Sequence, residues 1–305
     1  MDTAFKRAFS SLEKPFKLQL FYGHLIYRTL CLLFVLSIGL ISFYHYSFFF
    51  MKFAVVAFIC GYFFYQKALI PYFIDRPTSD ADLLHHQNVV ESSPRAEFLM
   101  DVINHYACKL NLKKPFRLKM MTSPDILNVG VSSSKTDHLF IFSSDFFDLS
   151  KNEIYAIVGH ELSHIVHGDV PAKYRLNDWY RWSMLASMCH IIFLNLSYFN
   201  IWMFLLILLV FSLFFILSIF VELYISRRQE YLADIGSVKL TGQGHALVTA
   251  LTRVHEINQM HVPPKVMARV HELGLSTHPE YKSRKAVLLQ AQKIYDQFNK
   301  PIGLI

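Results

Sequence analysis

Charge is what this sequence has least of. Only 17% of its 305 residues are Asp, Glu, Lys or Arg, against 53% hydrophobic and 15% aromatic. That balance is too apolar for an ordinary soluble protein of this length. The deficit is also concentrated. No Asp, Glu, Lys or Arg lies between Arg28 and Lys52, between Lys52 and Lys67, or between Arg181 and Glu222. The last run is long enough for two spans of about 20 residues each. Lys52 and Lys67 stand where lysines snorkel at the ends of a span. The pattern predicts four transmembrane helices, near 27–46, 49–70, 180–199 and 202–225, arranged as two hairpins. The first run is longer than a signal-peptide core, no small-x-small cleavage site follows it, and a second span comes almost at once. It is expected to stay as an anchor.

Cysteine is scarce too. Cys31, Cys60, Cys108 and Cys189 have neither metal-ligand nor redox spacing, and three fall within expected spans. They read as small apolar residues, and no oxidising compartment is needed. No Gly-x-x-x-x-Gly-Lys-Ser/Thr occurs, which argues against a nucleotide partner and a fused ATP-driven unfoldase. The net charge is +7, and its placement is informative. Lys6, Arg7, Lys14, Lys17 and Arg28 precede the first span, and Lys67 and Arg76 follow the second. Lys173, Arg175 and Arg181 precede the third, and Arg227 and Arg228 follow the fourth. The positive-inside rule then puts both termini and every large polar segment in the cytosol. Cations that flank spans form no separate patch for nucleic acid. The expected organisation is a basic amphipathic lead-in at the membrane surface (1–24), a first hairpin (25–72), a polar part (73–178), a second hairpin (179–225) and a helical cytosolic part (226–305).

What is present is one stretch rich in chemistry, Glu153-Ile-Tyr-Ala-Ile-Val-Gly-His160-Glu161-Leu-Ser-His164-Ile-Val-His-Gly-Asp169. Ile154, Ile157, Val158, Ile165 and Val166 recur at helical spacing, so one helix is expected. Ser150 with Glu153 fits a capping box at its start, and Gly168 fits its end. Residues four apart lie one turn apart on one face, about 6 Å along the axis. His160 and His164 can therefore turn a nitrogen each toward a single metal ion. Glu161 sits one step round, placed to handle the proton of a water without taking a coordination position. His167 either approaches this site or lies at the surface.

Upstream, Ser93-Pro94 fits an N-cap and a first helical proline, with a helix to about Leu110 whose buried face is Phe98, Leu99, Val102, Ile103 and Tyr106. Pro115 to Met121, Ile126 to Val131 and His138 to Phe142 read as a small sheet before the metal helix. Such a sheet either holds an extended peptide by strand addition or only supports the helix.

Beyond the last apolar run comes Ser226-Arg-Arg-Gln-Glu230-Tyr-Leu-Ala-Asp234. Glu230 as a third ligand beside two histidines leaves a fourth position open, the catalytic arrangement. The alternative is that Glu230 pairs with Arg227 on a solvated helix face. Asp234 can fix a liganding histidine through its second ring nitrogen. For these groups to meet His160 and His164, an even number of membrane crossings must intervene, and the charge-free run has the length of two. The last 70 residues read as three helices starting near Gly242, Pro264 and His278-Pro279. His278 is expected as an N-cap, either capping alone or facing a developing negative charge.

These pieces resemble the membrane-bound gluzincin peptidases that include HtpX-type proteases and type I CaaX prenyl proteases. The resemblance rests on His160-Glu161-Leu-Ser-His164-Ile, on Arg227-Arg-Gln-Glu230-Tyr-Leu-Ala-Asp234, and on Ser276-Thr-His278-Pro279 followed by Arg284. It covers roughly residues 90–290, in the family's order. It implies a mainly α integral membrane protein with a small α+β gluzincin-type domain. One Zn2+ per chain would be held by His160, His164 and Glu230, with Glu161 as base and Asp234 behind the ligands. His278 and Arg227 would support the transition state. Asn128-Val-Gly-Val131 stands where the family has its Asn-Ala-Phe-Ala substrate strand and departs after Asn128. Four spans resemble the HtpX branch, which implies ATP-independent quality control of misfolded membrane proteins. If the source is bacterial, the inner membrane is the expected location, with polypeptides and the lipid bilayer as partners. The competing readings are a prenyl-protein or peptide-maturation protease and a non-catalytic zinc-binding scaffold, for which loss of Glu161 would have been the mark.

Overall fold

The computed structural model describes residues 3–45, 86–88, 94–121, 129–134, 136–172, 176, 178, 180–185, 201–261 and 279–299. Among them the fold is mainly helical, with one small sheet. In chain order the elements are α1 (Thr3–His45), β1 (His86–Asn88), α2 (Pro94–Lys109), β2 (Phe116–Met121), β3 (Val129–Ser133) and β4 (His138–Ser143). A 3-10 turn (Ser144–Asp148) then leads to α3 (Lys151–His167), α4 (Ile201–Thr241), α5 (Gly244–His261) and α6 (Tyr281–Asn299). The expected span 49–70, the helix near Pro264, and most of the span 180–199 lie outside the described residues.

The chain divides into two compact units. One comprises Met1–Leu20, Pro77–Pro171 and Ser226–Ile305; the other comprises Phe21–Arg76 and Ala172–Ile225. Two helices pass from one unit to the other without a break. The lead-in and first expected span form the single 43-residue helix α1, running through Pro15. The fourth expected span and the Glu230 segment form the single 41-residue helix α4. The boundaries expected at 24/25 and 225/226 therefore fall inside helices. Apart from Pro15 neither helix contains a proline, and their glycines, Gly23, Gly39 and Gly236, weaken a helix less than proline does.

In the first unit the sheet has the order β1-β2-β4-β3, with β2 and β4 parallel and the outer pairs antiparallel. Alternation sends Phe116, Leu118 and Met120 of β2 and Phe140 and Phe142 of β4 to the core face. There they meet Leu99, Val102, Ile103 and Tyr106 of α2, and Ile154, Ile157 and Val158 of α3. α3 starts as its sequence requires. Ser150 Oγ accepts from the Glu153 amide and Glu153 Oε2 accepts from the Ser150 amide at 2.7 Å, while Gly168 ends the helix at φ 70°. A left-handed residue at that position is where glycine costs least.

α3 and α4 approach closely because both present small residues. A Cβ on Gly159 would stand 2.7 Å from Thr241 Cγ2, and one on Gly236 would stand 2.4 Å from Ser163 Oγ. Ser237 Oγ donates to the Ala156 carbonyl at 2.6 Å across the same contact.

The lead-in of α1 departs from expectation. Its apolar face is not left for lipid: Phe5 and Phe9 are buried in the core of this unit.

In the second unit, Phe34 of α1 stacks on Phe214 of α4 with ring centroids 4.0 Å apart. Most other apolar residues point outward, among them Leu25, Leu33 and Leu36 of α1 and Leu209, Phe215 and Phe220 of α4. Among the described residues, two helical stretches are long and apolar enough to cross a membrane, Thr3–Ser37 and Phe204–Thr241. Only 17% of the more apolar window is buried; a helix in a soluble core would be mostly covered.

The close α3–α4 contact yields a first expectation. Gly236→Val should destabilise the protein by about 1–3 kcal/mol through overpacking. Denaturation followed in detergent checks this; a wild-type melting temperature would show that the two helices part at no cost.

Candidate metal centre

Three side chains from two distant helices converge in the first unit. His160 and His164 lie one turn apart on α3, and Glu230 comes from α4. His160 Nε2 is 3.2 Å from His164 Nε2. Glu230 Oε2 is 3.6 Å from the first of these nitrogens, and Oε1 is 3.7 Å from the second. One donor atom from each residue lies within 4.8 Å of the others, close enough for all three to hold a single metal ion.

The backs of the two imidazoles explain why these nitrogens face one another. His164 Nδ1 is 2.8 Å from Asp169 Oδ2. His160 Nδ1 is 3.0 Å from Asp234 Oδ1, close but too bent for a straight hydrogen bond. A carboxylate at Nδ1 keeps the proton there and leaves the Nε2 lone pair free as a ligand. The two Nε2 atoms face one another at 3.2 Å, and a cation between them would be shared by both rings. The donor set therefore fits a divalent metal of the zinc type. The surrounding charge agrees. Burial alone would lower the His164 pKa, but Asp169, Glu230 and Glu161 outweigh it and push the ring up to about 9. A pocket that favours a positive charge on an imidazole also favours a metal cation.

Asp234 is completely buried, and a buried carboxylate persists only when it is paired. Its partner is Arg284 of α6, whose Nε donates to Oδ2 at 2.8 Å and whose Nη2 donates to Oδ1 at 2.7 Å. The third guanidinium nitrogen, Nη1, is 3.2 Å from Glu230 Oε2. Burial would raise the Asp234 carboxyl, but Arg284 and His160 hold it below the usual carboxylate range. The arginine is held charged in return: burial opposes its charge, and Asp234 and Glu230 more than restore it. Burial pushes the Glu161 carboxyl up, only partly offset by His160 and His164. A carboxylate raised in this way is a better proton acceptor at neutral pH.

The structure thus brings His160, His164, Glu230 and Asp234 together, with Glu161 within electrostatic reach of both histidines. The solvated Glu230–Arg227 alternative does not describe Glu230, which is buried beside the histidines and Arg284. Arg227 is half-buried on α4. His167 is half-buried against the Gly236 side of α4 rather than at the surface. His278 and Asn128 lie outside the described residues. The N-cap expected at His278 with Pro279 as first helical residue is corrected. α6 starts at Tyr281, and Glu280 takes the cap position by accepting the Ser283 and Arg284 amides. Pro279 fits the extended residue before the cap as well as it fits a first turn.

Sequence reasoning assigned no role to Asp169 or Arg284. Asp169 had a local signal: Gly168 in the left-handed conformation turns the chain back, so the next residue can reach an imidazole one turn earlier. Arg284 had only its place in a motif.

Two histidines one turn apart and a glutamate from a later helix, each histidine backed by a carboxylate, form a group that could hold a metal ion. The chain belongs to peptidase family M48, whose family model matches residues 93–292. It is 24% identical to protease HtpX of Vibrio cholerae over 228 residues, 66% of this chain and 75% of that protein. It is 31% identical over 106 residues to a protease HtpX homolog of Methanothermobacter thermautotrophicus, 35% of this chain and 39% of that protein. Among solved structures it is similar to S. mikatae Ste24p at 17% identity and a TM-score of 0.46, covering 91% of this chain and 66% of that one.

Arg284→Met should be severely destabilising, by about 3–5 kcal/mol, since it strands a buried carboxylate. Arg284→Lys should restore little, because one ammonium cannot replace the fork. Thermal melting of the two variants tests both statements. The sign with pH follows from the lowered Asp234 carboxyl. Its contribution to stability is complete above its unfolded value and disappears as pH falls through the lower folded one. Acid titration should therefore unfold wild type only below the ordinary carboxylate range, if Asp234 controls the transition.

Proposed function

We propose that this protein is a membrane-embedded zinc metalloendopeptidase that hydrolyses peptide bonds in misfolded membrane or membrane-proximal proteins without ATP. The observation that carries the reading is the meeting of His160, His164 and Glu230 within 4.8 Å in a chain of peptidase family M48. Zinc bound there supplies Lewis-acid polarisation of the scissile carbonyl and a more acidic water. The residues of the chain do the rest. Glu161 accepts the proton of the attacking water and returns it to the leaving amine. Asp169 and Asp234 hold the two imidazoles in the tautomer that leaves Nε2 free, and Arg284 fixes Asp234 and Glu230 together. Arg227 and His278 stabilise the oxyanion that develops at the carbonyl.

The substrate backbone lies along β3. β3 is an outer strand of the sheet and has contacts with the metal helix α3, so strand addition there delivers an extended peptide to the site. Asn128, next to β3, takes part in holding it. An extended peptide is already unfolded, which agrees with the lack of a Gly-x-x-x-x-Gly-Lys-Ser/Thr stretch in the sequence.

Two membrane hairpins, with the catalytic residues on the cytosolic side, complete the proposal. The apolar outward faces of α1 and α4 and the flanking cations support it. Substrates near the bilayer and, if the source is bacterial, a place in the inner membrane belong to the same reading, which the likeness to HtpX proteases supports.

Glu161→Gln should reduce cleavage of an unfolded membrane substrate by about 100-fold or more, while metal content stays near that of wild type. Glu230→Ala should lose metal. Undiminished cleavage by the first variant, or full metal retention by the second, would contradict the assignment.

A further inference from the structure

We infer that the amino-terminal segment of α1, Thr3–Leu20, is a strap that sets the position of the Glu230 carboxylate, with Glu13 as its positioning residue; this rests on the metal-site reading above. The segment has a stripe at helical spacing, Phe5, Phe9 and Glu13, with 4%, 0% and 4% of their surfaces exposed. Lys6, Arg7 and Lys14 face outward. The buried stripe rests on the two helices that build the back of the site. Phe5 meets Tyr295 and Phe298 of α6 edge-on, with ring centroids 6.0 and 5.9 Å apart. Phe16 stacks on Tyr231 of α4 at 4.9 Å, and Tyr231 is the residue next to Glu230.

Glu13 is the anomaly in this stripe. A carboxylate buried beside phenylalanines is costly to keep charged unless it is paired. It is paired twice: with Lys17 on its own helix, and with Lys239 of α4 at 3.1 Å. An apolar residue at position 13 would serve packing alone. An ion pair adds something packing does not: turning α4 so that Lys239 moves out of reach would leave the Glu13 carboxylate with one partner fewer. Rotating α4 would swing Glu230 and Asp234 away from the histidines; Ser237 holds it to α3, and the Glu13–Lys239 pair holds it to α1 as well. α6 brings Arg284, whose contacts to those two carboxylates span 2.7 to 3.2 Å. A strap lying on both α4 and α6 holds the carboxylates and their arginine in one register.

The test uses the full-length protein in detergent. Zinc affinity is read by chelator competition, and thermal unfolding is read on the metal-free protein. Glu13→Gln and Lys239→Met should each weaken zinc binding about tenfold, the low end of what outer partners of a metal site contribute. The double variant should lose no more than either single one, since the two groups act as a pair. Unchanged zinc affinity with a lowered melting temperature would overturn the inference and leave Glu13 as a folding contact. Losses that add in the double variant would also overturn it. If wild type itself bound no zinc, the metal-site reading would fall and take the strap with it. Wild-type binding with unaffected variants would sink the strap alone.

Discussion

The fork of hydrogen bonds from Arg284 to Asp234, with its third nitrogen on Glu230, is the contact on which the rest of the centre depends. It joins the last helix to the helix that carries the third ligand. Through Asp234 it reaches the ring of His160, and through Glu230 it reaches the ligand cluster itself. Four carboxylates, those of Glu161, Asp169, Glu230 and Asp234, and two imidazoles in a buried space would repel or protonate without this cation. Arg284 cannot be deprotonated at any relevant pH, so it supplies a permanent charge that no change of conditions removes. A divalent metal held there would add further positive charge between the same groups.

Close helix packing makes this geometry possible. The glycines at 159 and 236 let α3 and α4 approach until the imidazoles of one meet the carboxylates of the other. Ser237 fixes the height of that contact by donating to the Ala156 carbonyl. Small residues at a helix contact, Gly159 next to His160 and Gly236 two residues from Asp234, thereby become a condition for the meeting of these side chains. Within the first unit the sheet plays a different part: its phenylalanine-rich inner face gives α3 a fixed platform, with β3 as its outer strand on one side.

Local signals in the sequence carried much of this structure. The capping box at Ser150 and Glu153, the terminal Gly168 and the one-turn spacing of His160 and His164 are all written within one helical stretch. Glu230 and Asp234 were legible for the same reason, being one turn apart. What was not legible was pairing through space. Arg284 meets Asp234 across 50 residues, and no periodicity marks an arginine as buried. The amphipathic start of α1 shows that a face will be covered without saying by what; the answer is the protein's own core, through Phe5 and Phe9. The start of α6 was misplaced because proline fits both sides of a cap, and only the hydrogen bonds to the Glu280 carbonyl decide between them.

The central claim is that one ion is gripped by His160, His164 and Glu230. X-ray absorption at the zinc edge, on purified protein carrying one equivalent of metal, tests it most directly. The account predicts a shell of imidazole nitrogen and carboxylate oxygen at about 2.0–2.2 Å, with two imidazoles per zinc and no sulfur. A sulfur-containing shell, or one with fewer than two imidazoles, would contradict it.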